Sequence, residues 1–290
     1  MNKINQGIIL AGGYGTRLHP ITKVVNKHFL SIYDKPMIYY SLSILLLFKI
    51  ENINIVCNPE DEANFINLLG DGSEFGININ YKVQEQPEGI PHGIQKGLNK
   101  ESQGDFVVIL GDNFLHGREF FQQFYEKINK SSSVEIFTQE VKNPNEYGVA
   151  VYEGNKLIDI VEKPTKVLSN HAVVGLYKFN DEFTDLFKQL HKSNRGEFEI
   201  VDLLKRYNLS NIISNNIGRG TTWFDMGSFD NFFNSSLFVK TLQERQGLLI
   251  SSPHEIAFNN NFIDKQHLEN FIKDNENSLY CASLKHLLTL

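Results

Sequence analysis

The first residues able to do chemistry stand where the apolar run Gly7 to Ala11 opens into Ala11-Gly12-Gly13-Tyr14-Gly15-Thr16-Arg17. Gly12, Gly13 and Gly15 lack a Cβ, so backbone N–H groups can converge there on an anion, and a phosphate chain suits such a loop. Glycines alone would equally make a tight surface turn. Two familiar phosphate loops fail on their own requirements. A P-loop ends in Gly-Lys-Ser or Gly-Lys-Thr, whereas this loop ends Gly15-Thr16-Arg17. A dinucleotide fingerprint needs a further glycine where Leu18 stands and an acidic residue after the second strand, where Cys57-Asn58 is found. Arg17 offers a planar, permanently charged fork and Lys27 a second cation in the same connection. Either alone could be a solvated surface charge; together behind the glycines they point to phosphate.

Carboxylates and amides follow further along. Asp112 comes directly after the apolar run Phe106 to Leu110, at the carboxyl end of a buried strand, where open α/β sheets place their ligands. The plainer alternative is an Asp capping the next turn. Asp225 lies between Trp223 and Gly227 at what reads as another strand end. Glu162-Lys163-Pro164 sets an acceptor beside a cation and then fixes the backbone with proline; taken alone it is a surface ion couple. Gln84 ends a strand, and its amide carries both a donor and an acceptor that can pair with a pyrimidine edge, while Gly89 in Pro87-Glu88-Gly89-Ile90 permits close backbone approach.

These residues must be held by regular elements. Short apolar runs bounded by turn residues recur at Gly7 to Ala11, Ile53 to Cys57, Ile77 to Val83 and Phe106 to Leu110, with helical patterns between them in Pro36 to Ile50, Glu60 to Leu69 and Pro91 to Asn99. The alternation predicts an α/β fold, a doubly wound, mostly parallel mixed sheet with helices on both faces. After about residue 130 strand-like segments dominate, near Val134 to Val141, Gly148 to Val151, Lys156 to Glu162 and Ala172 to Phe179, followed by a helix over Asp181 to His191. Beyond Phe229 the pattern is helical. The predicted organisation is a core over 1–229, its halves meeting near residue 130 on one continuous sheet, and a helical C-terminal extension over 230–290.

Composition narrows the function classes. A chain of 290 residues with 41% hydrophobic content can bury a large core. Its net charge of -6, with Lys and Arg scattered, gives no electrostatic footprint for nucleic acid or an anionic membrane, so any phosphate must be held locally. The opening residues carry no signal-peptide pattern, and Tyr39 to Ile50 is too short and interrupted to span a bilayer, which predicts a cytoplasmic protein. Cys57 and Cys281 support neither a disulfide framework nor a Cys-based zinc site; the former reads as buried and the latter as peripheral.

Taken together, Leu10-Ala11-Gly12-Gly13-Tyr14-Gly15-Thr16-Arg17-Leu18, Asn26-Lys27 and Tyr33-Asp34-Lys35-Pro36 resemble the opening of the sugar nucleotidyltransferases, and specifically of the glucose-1-phosphate thymidylyltransferases among them. The resemblance continues through Leu110-Gly111-Asp112-Asn113, Val161-Glu162-Lys163-Pro164, Arg195-Gly196-Glu197-Phe198-Glu199-Ile200, Trp223-Phe224-Asp225-Met226-Gly227 and Glu244-Arg245-Gln246-Gly247-Leu248. It implies a nucleotide-diphospho-sugar transferase fold, Rossmann-like, and transfer of a thymidylyl group from dTTP to α-D-glucose 1-phosphate. The products would be dTDP-glucose and pyrophosphate, opening a route to dTDP-deoxysugars such as dTDP-L-rhamnose. It also assigns roles. Arg17, Lys27 and Lys163 would be catalytic, and Leu10, Gly12, Gly13, Gly15, Thr16, Gln84, Pro87, Gly89 and Asp112 would bind the nucleotide, Gln84 and Gly89 reading thymine. Asn113, Tyr147, Gly148, Glu162, Lys163, Val174 and Arg195 would bind the sugar phosphate, and Asp112 and Asp225 would hold Mg²⁺. Arg219, Gln246 and Gly247 resemble a second nucleotide site at subunit contacts, implying a homotetramer with a dTDP-sugar as feedback inhibitor.

The chain departs from the common pattern at a few places. Pro91-His92-Gly93 replaces Ala-Gln-Ala, His28 replaces Gln beside Lys27, Ser31 replaces Pro, and Arg118 stands where His is common. Three of these lie at the nucleotide end, so UTP or another sugar 1-phosphate is the nearest alternative. A non-catalytic regulatory subunit is the more distant one, and it would have lost a phosphate-binding cation or a metal carboxylate. Arg17, Lys27, Asp112, Lys163 and Asp225 are all present.

Overall fold

A computed structural model describes residues 4–99, 104–117, 120, 121, 125, 128 and 134–288. The opening apolar run forms β1 (Gln6–Leu10), and two short strands, β2 (Ser31–Ile32) and β3 (Lys35–Pro36), lead into α1 (Met37–Leu47). Residues Met37 to Leu46 of α1 are all buried, as a helix apolar on every side must be. Then come β4 (Asn52–Cys57), α2 (Glu62–Leu69), β5 (Asn78–Val83), α3 (Ile90–Gly97), β6 (Phe106–Leu110) and β7 (Asn113–His116). The second half supplies β8 (Glu135–Glu140), β9 (Gly148–Glu153), β10 (Lys156–Glu162), β11 (His171–Phe179), α4 (Phe183–Phe187), α5 (Ile200–Arg206), β12 (Ile213–Asn216) and β13 (Thr222–Asp225). Four helices follow: α6 (Phe229–Gln246), α7 (Pro253–Asn259), α8 (Lys265–Asp274) and α9 (Leu279–Leu287).

Nine strands form one mixed sheet whose main path runs β10-β9-β11-β6-β1-β4-β5, with β8 and β12 branching from β11. Strands β6, β1, β4 and β5 are parallel. Strand β11 joins them antiparallel to β6, so one sheet spans both halves of the chain. The apolar runs are continuous because both faces are covered: Ile9, Ile53, Val107 and Ile109 enter one core layer, Ile8, Val56, Phe106 and Val108 the other. Among the described residues, no helix is long and apolar enough to cross a membrane.

The C-terminal helices are part of the core. Ala257, Leu268, Ile272 and Leu284 share a cluster with Ile38 and Leu42 of α1. Cys281, expected to be peripheral, is fully buried there because α9 packs inward. The helix expected over Asp181 to His191 is shorter, Phe183–Phe187; the backbone then tightens into three-residue turns, and Leu190 closes them by burying itself in the other layer. A buried polar chain fastens the C-terminal helices to the turn after α2. His254 stacks on Phe271 at 3.8 Å, its Nε2 lies 3.0 Å from Glu74 Oε1, and its Nδ1 lies 2.9 Å from the Tyr280 hydroxyl.

Gly76 is the tightest point of this junction. Its φ is +66, and a Cβ there would run into the carbonyl of Phe262. Gly76→Ala is therefore expected to lower the unfolding free energy by more than about 1 kcal/mol. Urea denaturation measures it, and an unchanged midpoint would show that the two segments do not meet this closely.

Candidate active site

The glycine loop leaves β1 at the carboxyl edge of the parallel strands and is braced by polar side chains. Gly13 and Gly15 take φ of +98 and +57, the left-handed region that favours glycine. Asn58 Oδ1 accepts from the Gly13 N–H at 3.2 Å, and Thr22 Oγ1 donates to the Gly15 carbonyl at 2.7 Å. Asn26 Nδ2 donates to Asp61 Oδ2 at 2.6 Å and to the Ala11 carbonyl at 3.4 Å. Thr16 and Arg17 open a short 3₁₀ turn facing solvent.

The two carboxylates meet through a separate two-stranded ribbon. Strands β7 and β13 pair antiparallel with Asn113 opposite Asp225, and the Met226 N–H donates to the Asp112 carbonyl at 2.8 Å. Lys27 Nζ sits 2.5 Å from Asp112 Oδ2, and Arg17 Nη2 lies 3.8 Å from Asp225 Oδ2. Burial alone would raise the Asp112 carboxyl; Lys27, His28 and hydrogen bonds from Lys27 and Asn113 overcome it and hold the group at about 2. Asp225 goes the other way. Burial and the charge of Asp112 push it up to about 6, against the pull of Arg17 and Lys27. Gly227 lies under this pair: its N–H donates to Asp225 Oδ1 at 3.0 Å, and a Cβ there would strike the Arg17 guanidinium.

Both carboxylates and Arg17 line a cavity of about 230 Å³. Asn113, Tyr147, Gly148, Glu162 and Lys163, all expected to bind the sugar phosphate, line the same cavity. Glu162 ends β10, and its carboxyl is raised by burial against the opposing pull of Lys163 and Arg195. Lys163 takes φ of +40 before Pro164, and its Nζ lies 3.9 Å from Glu162 Oε1. Arg195 stands at the rim, forked onto Glu199 through Nε at 3.1 Å and Nη2 at 2.7 Å, with Nη2 also 3.6 Å from Glu162. Asn113 Oδ1 accepts from Trp223 Nε1 at 2.7 Å and from the Gly175 N–H at 3.2 Å, which fixes its amide.

Val174 stands apart from the cavity lining. Its side chain turns into the core with Leu176, and its neighbours Val173 and Gly175 face the cavity. Alternation along a strand puts neighbours on opposite faces, so the Val174 side chain points away from this wall. The sequence reading also missed the apolar wall formed by Tyr177, Ile200, Val201 and Leu204. Alternation along β11 marks Tyr177, and helical spacing marks Ile200, Val201 and Leu204 on α5.

Gln84, Pro87 and Gly89, expected to bind the nucleotide, lie on the glycine-loop side. Gln84 is 4% exposed, and its Oε1 lies 3.2 Å from where a Cβ on Gly12 would stand. Leu10 lies against Gly93 of α3, and Pro87 is half-buried in the connecting loop. Gly89 takes φ of +98, and a Cβ on it would overlap the Phe198 carbonyl, while the Phe198 N–H donates to the Glu88 carbonyl at 2.8 Å. His28 is buried with Nδ1 2.7 Å from Asn26 Oδ1, so it braces the loop. Arg219 sits exposed in the turn before β13, and Gln246 and Gly247 are exposed at the end of α6, outside the cavity. Arg118 lies outside the described residues.

A metal ion would fit between the carboxylates. Asp225 is raised by burial and then by the facing charge of Asp112, and a cation would relieve the second. Oxygen ligands in this number match Mg²⁺, which takes one or two carboxylates and completes its shell with phosphate oxygens and water. Among the described residues no group of three or more His, Cys, Asp or Glu forms a metal cluster.

The profile of the nucleotidyl transferase family matches residues 6–241. The chain is 41% identical to the glucose-1-phosphate thymidylyltransferase of Neisseria gonorrhoeae over 98% of its own length and 99% of the relative's. It is 42% identical to the enzyme of that name from Xanthomonas campestris pv. campestris, over 91% and 90% of the two chains. Among solved structures, a glucose-1-phosphate thymidylyltransferase of Bacillus anthracis crystallised with sucrose superposes with a TM-score of 0.72 at 34% identity, over 80% of this chain and 94% of that one. A UDP-glucose pyrophosphorylase bound to UDP-glucose gives 0.71 at 26% identity, over 82% and 99%.

The Trp223 to Asn113 hydrogen bond sets one wall of the cavity. Trp223→Phe is expected to raise KM for the sugar phosphate several-fold, by roughly 1 kcal/mol, with little change in kcat. Steady-state kinetics with varied sugar phosphate checks it, and unchanged KM would mean that Asn113 needs no such anchor.

Proposed function

Because the chain belongs to the nucleotidyl transferase family and is a nucleotidyltransferase, we propose that it moves a thymidylyl group from dTTP to α-D-glucose 1-phosphate, giving dTDP-glucose and pyrophosphate. The observation that carries this is one cavity in which Arg17, Asp112 and Asp225 face Glu162 and Lys163. Phosphate-binding and sugar-phosphate-binding groups thus share a single space.

In this reading a phosphate oxygen of the sugar 1-phosphate attacks the α-phosphorus in line, and pyrophosphate leaves. No protein nucleophile is needed. A phosphate monoester with a second pKa of about 6 is already largely dianionic at neutral pH, so a general base adds little. Arg17 and Lys27 neutralise the triphosphate, Lys163 and Arg195 hold the acceptor phosphate, and Glu162 accepts from sugar hydroxyls. Lys27 keeps Asp112 ionised, and Asp112 with Asp225 would hold Mg²⁺, which supplies further charge neutralisation on the phosphates. Gln84 and Gly89 meet the base. The fold superposes about as well on a UDP-glucose pyrophosphorylase, so the choice of dTTP rests on identity along the full chain.

We also place the enzyme in the cytoplasm as a homotetramer with a nucleotidyl core over 1–229, an extension over 230–290, and feedback by a dTDP-sugar near Arg219, Gln246 and Gly247. Phe229, Phe233 and Leu237 support the assembly: they are 46%, 67% and 52% exposed at helical spacing along α6. A monomeric mass in light scattering would remove it.

Pyrophosphate release across a panel of triphosphates and sugar 1-phosphates tests the reaction; turnover should be fastest with dTTP and glucose 1-phosphate, and silence with every pair would end the proposal. Arg17→Ala and Lys27→Ala should each lower kcat/KM at least about 100-fold, roughly 2.7 kcal/mol of transition-state stabilisation.

A further inference from the structure

His92 occupies one of the places where this chain departs from the common pattern, and it touches the base-reading amide. Gln84 Nε2 lies 2.9 Å from His92 Nδ1, and Gln84 Oε1 lies on the opposite side, 3.2 Å and 3.6 Å from where Cβ atoms on Gly12 and Gly93 would stand. A glutamine amide can sit either way round, and its partner decides which. A His Nδ1 without a proton accepts from Nε2 and so turns Oε1 toward Gly12. A protonated Nδ1 donates, and the amide must turn over and present Nε2 there instead.

The charged groups around His92 are few. Glu88 Oε2 lies 3.7 Å away, Lys192 reaches across from the segment after α4 to bond Glu88 at 2.5 Å, and Lys96 lies one turn further along α3. The Phe198 ring lies tilted to it, with centroids 6.3 Å apart. Burial, with Lys96 and Lys192, holds His92 below its ordinary range against the opposing pull of Glu88 and a hydrogen bond to the Gln86 backbone, so the ring is neutral at pH 7 and protonates only on acidification.

We propose that His92 is a positioning residue for base selection: by accepting from Gln84 Nε2 it fixes Gln84 Oε1 toward the base slot, where it accepts the ring N–H of an imide base, thymine or uracil, and rejects the ring-nitrogen acceptor of cytosine. This rests on the reading above that Gln84 meets the base. Acid weakens the selection, because the turned amide offers a donor to the ring N–H. Replacing His92 by Gln, whose carbonyl accepts but does not titrate, preserves the selection and removes its dependence on pH.

The test measures kcat and KM for dTTP, UTP and dCTP with the wild-type enzyme, His92→Gln and His92→Ala between about pH 5.5 and 8, a window spanning the ordinary histidine pKa. Titration of substrate phosphates affects all three proteins alike, so each variant is compared with the wild type at the same pH. The wild type should lose dTTP over dCTP preference on acidification, through KM and not kcat. His92→Gln should hold it constant, and His92→Ala should lose roughly 10-fold of it at every pH, the equivalent of one hydrogen bond of about 1.4 kcal/mol. Unchanged selectivity in His92→Ala, or one pH profile shared by the wild type and His92→Gln, overturns the role of His92 alone. A wild type that uses no pyrimidine triphosphate overturns the reading of Gln84 and this inference together.

Discussion

Two acidic side chains from distant parts of the chain are brought together in a buried place where like charges repel. The short β7 to β13 ribbon imposes this, pairing Asn113 with Asp225 and tying Met226 to the Asp112 carbonyl. The cost falls unequally: Asp112 has Lys27 at 2.5 Å and stays ionised, while Asp225 has Arg17 only at 3.8 Å and is pushed up to about 6. The site therefore asks for further positive charge, and the surrounding structure is arranged to receive it with phosphate. The glycine loop delivers Arg17 to one carboxylate, the connection after it delivers Lys27 to the other, and the glycine at position 227 leaves room for the guanidinium.

In the proposed reading the sheet explains why two substrates would meet there. Its parallel part ends at the glycine loop and Asp112, and its antiparallel part ends at Glu162. Strand β11 belongs to both, pairing with β6 and with β9, so the nucleotide and sugar sides share one rigid platform. Preorganised donors on such a platform need little rearrangement as charge develops during reaction. The C-terminal helices stiffen it from behind, through α1 and the His254 to Glu74 contact.

Much of this was legible in the sequence, because the residues concerned carry local signals. The glycine loop, Arg17, Asp112 at a strand end and Asp225 at another each stand beside a turn or an apolar run. What escaped depends on distant chain segments meeting. Asn58 braces the loop from the connection after β4, Thr22 and Asn26 from further along the loop's own connection, and no periodicity marks these contacts. Val174 was placed in the pocket although its side chain faces the core, since motif resemblance does not resolve which face a strand residue takes. The burial of Cys281 and the early end of α4 were likewise settled by tertiary packing. His92 was visible as a departure from pattern, but its grip on Gln84 emerged only from the fold.

In the proposed reading Asp112 and Asp225 form a like-charged pair completed by a cation. Site-specific carboxyl NMR of Asp225, with and without Mg²⁺, tests it most directly. Titration at about 6 is expected in the metal-free protein, with a clear fall when Mg²⁺ is added. Titration at about 4 under both conditions, the ordinary value for an aspartate, would contradict it.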